Sequence, residues 1–112
     1  MATILLVEDD DTIRELTAMI LEGEGHDVHA AANGDAAETW LQTQTPAVLF
    51  TDLRMPGTLS GRDLAERHRD IPVLVTSGEA REQHDWLTPG MEYLSKPYDR
   101  KTLIAALARV MG

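Results

Sequence analysis

Apolar and polar positions come in blocks along this chain, and the blocks change period. Thr3 to Val7, TILLV, is a short apolar run rich in strand formers. A helical pattern follows in TIRELTAMILEGEG, where Ile13, Leu16, Thr17 and Ile20 fall on one face and Gly23 and Gly25 supply the stop. Thr12 and Glu15 have capping-box spacing. His26 to Ala31, HDVHAA, reads as a second strand, less apolar than the first and so expected at a sheet edge. Asn33-Gly34 is a turn signal, and the helical stretch after it presents Ala37, Trp40 and Leu41 on one face before Pro46. Ala47 to Asp52, AVLFTD, is apolar until its last two residues, the pattern of a strand buried on both sides. LRMPGTLSG is a Gly/Pro loop and RDLAERHRD a short helix. Ile71 to Gly78, IPVLVTSG, and Met91 to Ser95, MEYLS, read as the fourth and fifth strands. Between them EAREQHDWLTPG is polar and only partly helical in pattern. KPYD turns the chain, Asp99 can cap the last helix, and Leu103, Ala106, Leu107 and Val110 form that helix's apolar stripe.

Strand and helix alternate throughout, with no internal repeat, low-complexity tract or linker. Such alternation implies right-handed βαβ crossovers and a parallel sheet covered on both faces. In these sheets ligands bind beyond the carboxyl ends of the strands, where strand order reverses. A length of 112 residues is expected to make one domain, residues 1–112. A formal net charge of −9 repels nucleic-acid backbone and anionic membrane, so neither is an expected direct partner. The absence of cysteine removes disulfides, thiolate zinc sites and a cysteine nucleophile. No apolar run approaches the roughly 20 residues of a membrane helix, and no signal-peptide pattern opens the chain. A cytoplasmic location is expected.

The acids change the picture. LLVEDDD places four carboxylates in succession after the first strand, and Asp52 ends the third. If those strands are neighbours, Glu8, Asp9 and Asp52 converge in one crevice, and Lys96, directly after the fifth strand, reaches the same edge. Carboxylates this close need a counter-charge. Mg²⁺, a hard cation that takes one or two carboxylates, keeps waters and bridges to phosphate, fits such a crevice.

VEDD, TDLRMPG, TSG and SKP, in this order and each at a predicted strand end, resemble the receiver domain of two-component response regulators. The resemblance covers essentially the whole chain. It implies a flavodoxin-like, doubly wound, five-stranded parallel sheet in the order 2-1-3-4-5 with five helices. It also implies transfer of a phosphoryl group from the phosphohistidine of a histidine kinase or histidine phosphotransfer protein to one aspartate. By position Asp52 looks like the phosphoacceptor and nucleophile. Asp9 resembles the direct ligand of Mg²⁺ (or Mn²⁺ in its place), and Glu8 the acid beside it that acts through a metal-bound water. The backbone carbonyl of Arg54 resembles the third protein ligand. Lys96 matches the lysine that pairs with the phosphoryl oxygens, and Pro97 the proline after a cis bond. Tyr93 occupies the aromatic switch position. The fourth strand offers two hydroxyls for the family's switch position, Thr76 and Ser77; counting from Pro72, Ser77 aligns with it, and Thr76 is then expected on the opposite face. The resemblance also implies output through a downstream protein target or an output domain outside these residues.

The chain departs from the family in two places. The loop after Asp52 looks one residue longer than the common form, placing Gly61 late. The stretch from Gly78 to Met91 is short and closed by Pro89-Gly90, so the family's fourth helix is expected to be short or irregular.

Plainer readings compete at several positions. Asp10 and Asp11 suit the positive end of a helix without further function. Tyr93 is equally a core-edge packing residue, and Trp40 and Trp86 read as packing residues. His26, His29, His68 and His84 have no metal-ligand spacing. Two rival functions share the acids: a Mg²⁺-dependent aspartyl-phosphate phosphatase, and a degenerate receiver serving only as a scaffold. The phosphatase would carry a second acid two residues after its nucleophile, where Arg54 stands. The scaffold would have no need of Glu8, Asp9, Asp52 and Lys96 together.

Overall fold

A computed structural model of the chain describes residues 2–55, 57–78 and 85–112. Five strands, β1 (Thr3–Val7), β2 (Asp27–Ala31), β3 (Val48–Asp52), β4 (Val73–Ser77) and β5 (Met91–Ser95), form one parallel sheet in the order β2-β1-β3-β4-β5. Four helices, α1 (Asp11–Gly23), α2 (Gly34–Leu41), α3 (Gly61–Arg67) and α4 (Arg100–Met111), are present among the described residues. The short helix expected after β4 falls on residues 79–84, which lie outside the described residues, as does His84.

Alternation along the strands builds two cores. Leu5 and Val7 of β1, Leu49 of β3 and Val73 and Val75 of β4 face Ala37 of α2 and Leu64 and Ala65 of α3. Ile4 and Leu6, Phe50 and Leu74 face Leu21 of α1 and Leu103, Ala106 and Leu107 of α4. All five residues of β3 and of β4 are buried, as their continuous apolar runs require of central strands. β2 lies at one edge and keeps only Ala31 fully buried.

The helix ends follow local chemistry. Asn33 caps α2 by accepting from the amide of Ala36. Ser60 with Asp63 and Asp99 with Thr102 form capping boxes at α3 and α4. α1 corrects the sequence reading twice. Its cap is Asp10, which accepts from Ile13, not Thr12. Its buried stripe runs through Thr17 and Leu21, while Leu16 is 56% exposed. The helix seats on the sheet with the i, i+4 pair Thr17/Leu21 inward, and Leu16, about 100° round from Thr17, lies at the rim.

Candidate functional site

Parallel pairing brings every strand's carboxyl end to one edge. Asp52 is in register with Thr76, and Ser77 with Ser95. Glu8 follows β1 directly, held by its amide bond to the carbonyl of Ala31 at 3.1 Å, and is 2% exposed. Its carboxylate accepts from the Asp10 amide at 3.1 Å and from Lys96 Nζ at 2.8 Å. Arg14 of α1 donates to the Glu8 carbonyl at 2.9 Å and pairs with Asp11 at 2.6 Å, which ties the acidic turn to its helix. Asp52 is 7% exposed and accepts a second bond from Lys96 Nζ at 2.8 Å. The Arg54 amide approaches the other Asp52 oxygen at 3.4 Å. Asp9 is exposed, and one carboxylate oxygen from each of Glu8, Asp9 and Asp52 lies within 4.8 Å of the others.

Lys96 thus supplies counter-charge to both Glu8 and Asp52. Burial alone would lower the pKa of its ammonium, but the bonds and charges of Asp52 and Glu8 outweigh burial and raise it. Glu8 moves the other way from a simple ion-pair partner. Burial dominates and raises its pKa, with the Lys96 bond only partly compensating and the Asp52 charge adding to the rise. The two directions agree once burial is counted. The Lys96 side chain is 21% exposed and gains from two acids, whereas Glu8 is 2% exposed and shares one cation. Three oxygen-bearing acids, one of them open to solvent, fit a hard divalent ion in donor chemistry.

The neighbouring strand ends complete the crevice. Thr76 donates its hydroxyl to the Leu94 carbonyl at 2.7 Å. Ser77, 2% exposed, stands on the side of β4 that carries Val73 and Val75. Tyr93 lines that same side, and its phenol donates to the Ser77 carbonyl at 3.2 Å. Lys96 continues the ladder with its amide on the Ser77 carbonyl at 2.8 Å, and the Lys96–Pro97 peptide is cis.

Three supporting features escaped sequence reasoning. Arg14 belongs to no motif that the sequence singles out, yet it braces Glu8. Gly61 looked like a loop glycine, yet a Cβ there would overlap the Asp52 carbonyl oxygen. Thr17 and Tyr98 face each other at 2.7 Å across 81 positions of chain. Only the unusual hydroxyl within an apolar helical stripe could have flagged the last pair.

A five-stranded 2-1-3-4-5 sheet with acids just after β1 and at the end of β3, and a lysine after β5, defines the signalling receivers of the flavodoxin-like class. The chain belongs to the response regulator receiver domain family, which it matches over residues 4–108. It is 32% identical to the phosphate regulon transcriptional regulatory protein PhoB of Pseudomonas aeruginosa, covering 97% of this chain and 51% of that protein. It is 34% identical to the transcriptional regulatory protein CseB of Streptomyces coelicolor, covering 96% of this chain and 48% of that one. The chain thus spans about half the length of these relatives. Among solved structures it resembles the receiver domain of the hybrid histidine kinase CckA, with a TM-score of 0.81 and 31% identity over 98% of this chain and 99% of that one. The chemotaxis response regulator CheY4 of Vibrio cholerae is similar at a TM-score of 0.86 and 27% identity, with 98% of both chains covered. No described helix is long and apolar enough to cross a membrane.

Proposed function

We propose that residues 1–112 act as one receiver domain that accepts a phosphoryl group on Asp52 from the phosphohistidine of a histidine kinase or histidine phosphotransfer protein. The observation that carries this reading is the Lys96 ammonium at 2.8 Å from both Asp52 and Glu8 on the carboxyl edge of the sheet. A carboxylate oxygen of Asp52 attacks phosphorus. The new P–O bond forms as the P–N bond to the donor imidazole breaks, and the electron pair leaves with that nitrogen. Such transfers need positioning and charge neutralisation more than covalent help. Glu8, Asp9, Asp52 and the Arg54 carbonyl would hold Mg²⁺, which neutralises phosphoryl charge when bound. Lys96 exchanges a carboxylate for a phosphoryl oxygen, keeping a charge-assisted bond throughout.

Ser77 donates its hydroxyl to a further phosphoryl oxygen. Its place on the side of β4 that carries Val73 and Val75, with the Tyr93 phenol bonded to its carbonyl, supports Ser77 for this role. Movement at Ser77 disturbs its carbonyl, to which Tyr93 is bonded, so Tyr93 can report the event on the β4–β5 face. The output is a protein contact, made with a separate target or with an attached output domain such as a relative of twice the length has room for. The reading implies a cytoplasmic location, because the phosphohistidine donor is made from ATP.

Intact-mass measurement after incubation with acetyl phosphate and Mg²⁺ tests the reading. One added phosphoryl group is expected, and none in Asp52→Asn. An unmodified wild-type chain would overturn it.

A further inference from the structure

The backbone after β5 must carry Lys96 sideways. In the order β2-β1-β3-β4-β5, two spacings separate β5 from β3 and three separate it from β1. At ~4.8 Å per spacing these are roughly 10 and 14 Å. A four-carbon stem cannot cover that distance from directly above β5, so the loop has to lean across the end of β4. The Lys96 amide on the Ser77 carbonyl marks where the lean begins. Tyr98 marks where it ends. Its ring packs against Phe50 of β3, two residues before Asp52, with centroids 6.1 Å apart. Its hydroxyl lies 2.7 Å from Thr17 Oγ1 of α1.

The pairing is specific in a way that packing alone does not require. Thr17 is 2% exposed and stands in the stripe that Leu21 continues against the sheet. An aliphatic residue of the same shape would fill the space. A buried hydroxyl instead has to be bonded, and Tyr98 supplies that bond from the one loop that carries the site's cation.

We propose that the Thr17–Tyr98 hydroxyl pair is a positioning device for Lys96: it pins the loop after β5 over β3 and so sets how well the ammonium meets Asp52 and a phosphoryl group there. The pinning stands on the geometry alone, and the phosphoryl half rests on the reading of Asp52 as phosphoacceptor. Neither residue touches the reacting atoms.

Three substitutions separate the hydrogen bond from packing. Tyr98→Phe deletes one oxygen and keeps the ring on Phe50. Thr17→Val keeps the shape of the side chain without its hydroxyl, and Thr17→Ser keeps the hydroxyl. Two readouts report on Lys96 itself, with melting temperature followed beside them. The first is the ¹⁵N–¹H signal of the Lys96 ammonium in the ligand-free protein, which slow exchange between two carboxylates makes observable. The second is affinity for beryllofluoride, a phosphoryl mimic, at saturating Mg²⁺.

The ammonium signal is expected to broaden or vanish in Tyr98→Phe and Thr17→Val and to persist in Thr17→Ser. Beryllofluoride affinity should fall about 2- to 10-fold in the first two, the scale of one hydrogen bond. The double variant should lose no more than either single one, because both remove the same bond. Affinity for Mg²⁺ alone should stay within about twofold, since the residues that would hold the ion lie at the ends of β1 and β3, away from the pair. A lower melting temperature with unchanged ammonium signal and unchanged beryllofluoride affinity would overturn the proposal and leave the pair as packing. If the wild-type chain takes no beryllofluoride while its ammonium signal still depends on the pair, the pinning is upheld and the phosphoacceptor reading is what fails.

Discussion

Glu8 holds its negative charge against the cost of burial. Burial raises its pKa above the ordinary 4.5, so its ionisation works against folding. The sign is that of a raised group. Its favourable contribution is complete below about pH 4.5 and is lost as pH rises through the higher folded-state value. Glu8→Gln should therefore raise the urea midpoint at pH 7 in the absence of divalent ions, and the gain should shrink below pH 4.5. A lower midpoint at pH 7 would mean that the Lys96 bond outweighs burial. Asp9 differs because it is exposed. Asp9→Ala should leave stability nearly unchanged and weaken Mg²⁺ binding about tenfold or more, since too few oxygens then remain to offset dehydration of the ion. Titration with Mg²⁺ followed by amide shifts of β1 and β3 checks this, and unchanged affinity would remove the metal assignment.

Among the elements, the start of α3 is packed closely against the end of β3. Gly61 packs its α-carbon where any side chain would strike the Asp52 carbonyl, and its amide bonds the Leu53 carbonyl at 3.2 Å. Gly34, at the start of α2, meets the Leu59 backbone in the same close way. The Asp35 carboxylate also accepts from the Thr58 amide at 3.3 Å. The chain just before α3 is thus held at Thr58 and Leu59 by the start of α2, and at Gly61 by the Asp52 backbone. Gly61→Ala should lower stability by about 1–3 kcal/mol, the cost of overpacking, and should also displace Asp52. Thermal unfolding together with the yield of acetyl phosphate labelling would register both effects. Ser60→Ala breaks the α3 capping box and should cost about 1 kcal/mol without changing Mg²⁺ affinity, which sets a purely structural reference for the neighbouring glycine.

The whole molecule is an acidic body with its sharpest charge conflict at one sheet edge. Lys96 relieves that conflict only in part, because one ammonium faces the carboxylates of both Glu8 and Asp52. An ion that binds only the folded arrangement stabilises it by mass action, so millimolar Mg²⁺ should raise the melting temperature of the wild-type chain. Asp52→Asn should show a much smaller rise. Equal rises in both proteins would place the ion elsewhere.

Much of this was legible in the sequence because it is local. The periods of apolar residues marked five strands, and MEYLS matched β5 residue for residue. The cap at Asp99 rests on backbone chemistry within a few positions, whereas Asn33-Gly34, read as a turn, is the cap and first residue of α2. Ordered motifs at strand ends pointed to Glu8, Asp9, Asp52 and Lys96, because a parallel sheet sends every strand end to one edge. What required tertiary structure was anything decided by a distant neighbour. The rotation of α1, which hides Leu21 and exposes Leu16, depends on how the helix seats on the sheet. The commitment of Thr76 to Leu94 depends on the lateral pairing of β4 with β5. The need for glycine at position 61 depends on the path of a backbone nine residues earlier. The meeting of Thr17 with Tyr98 depends on a loop crossing the sheet end. Periodicity records which residues seek burial, and only three-dimensional packing selects the partner each one meets.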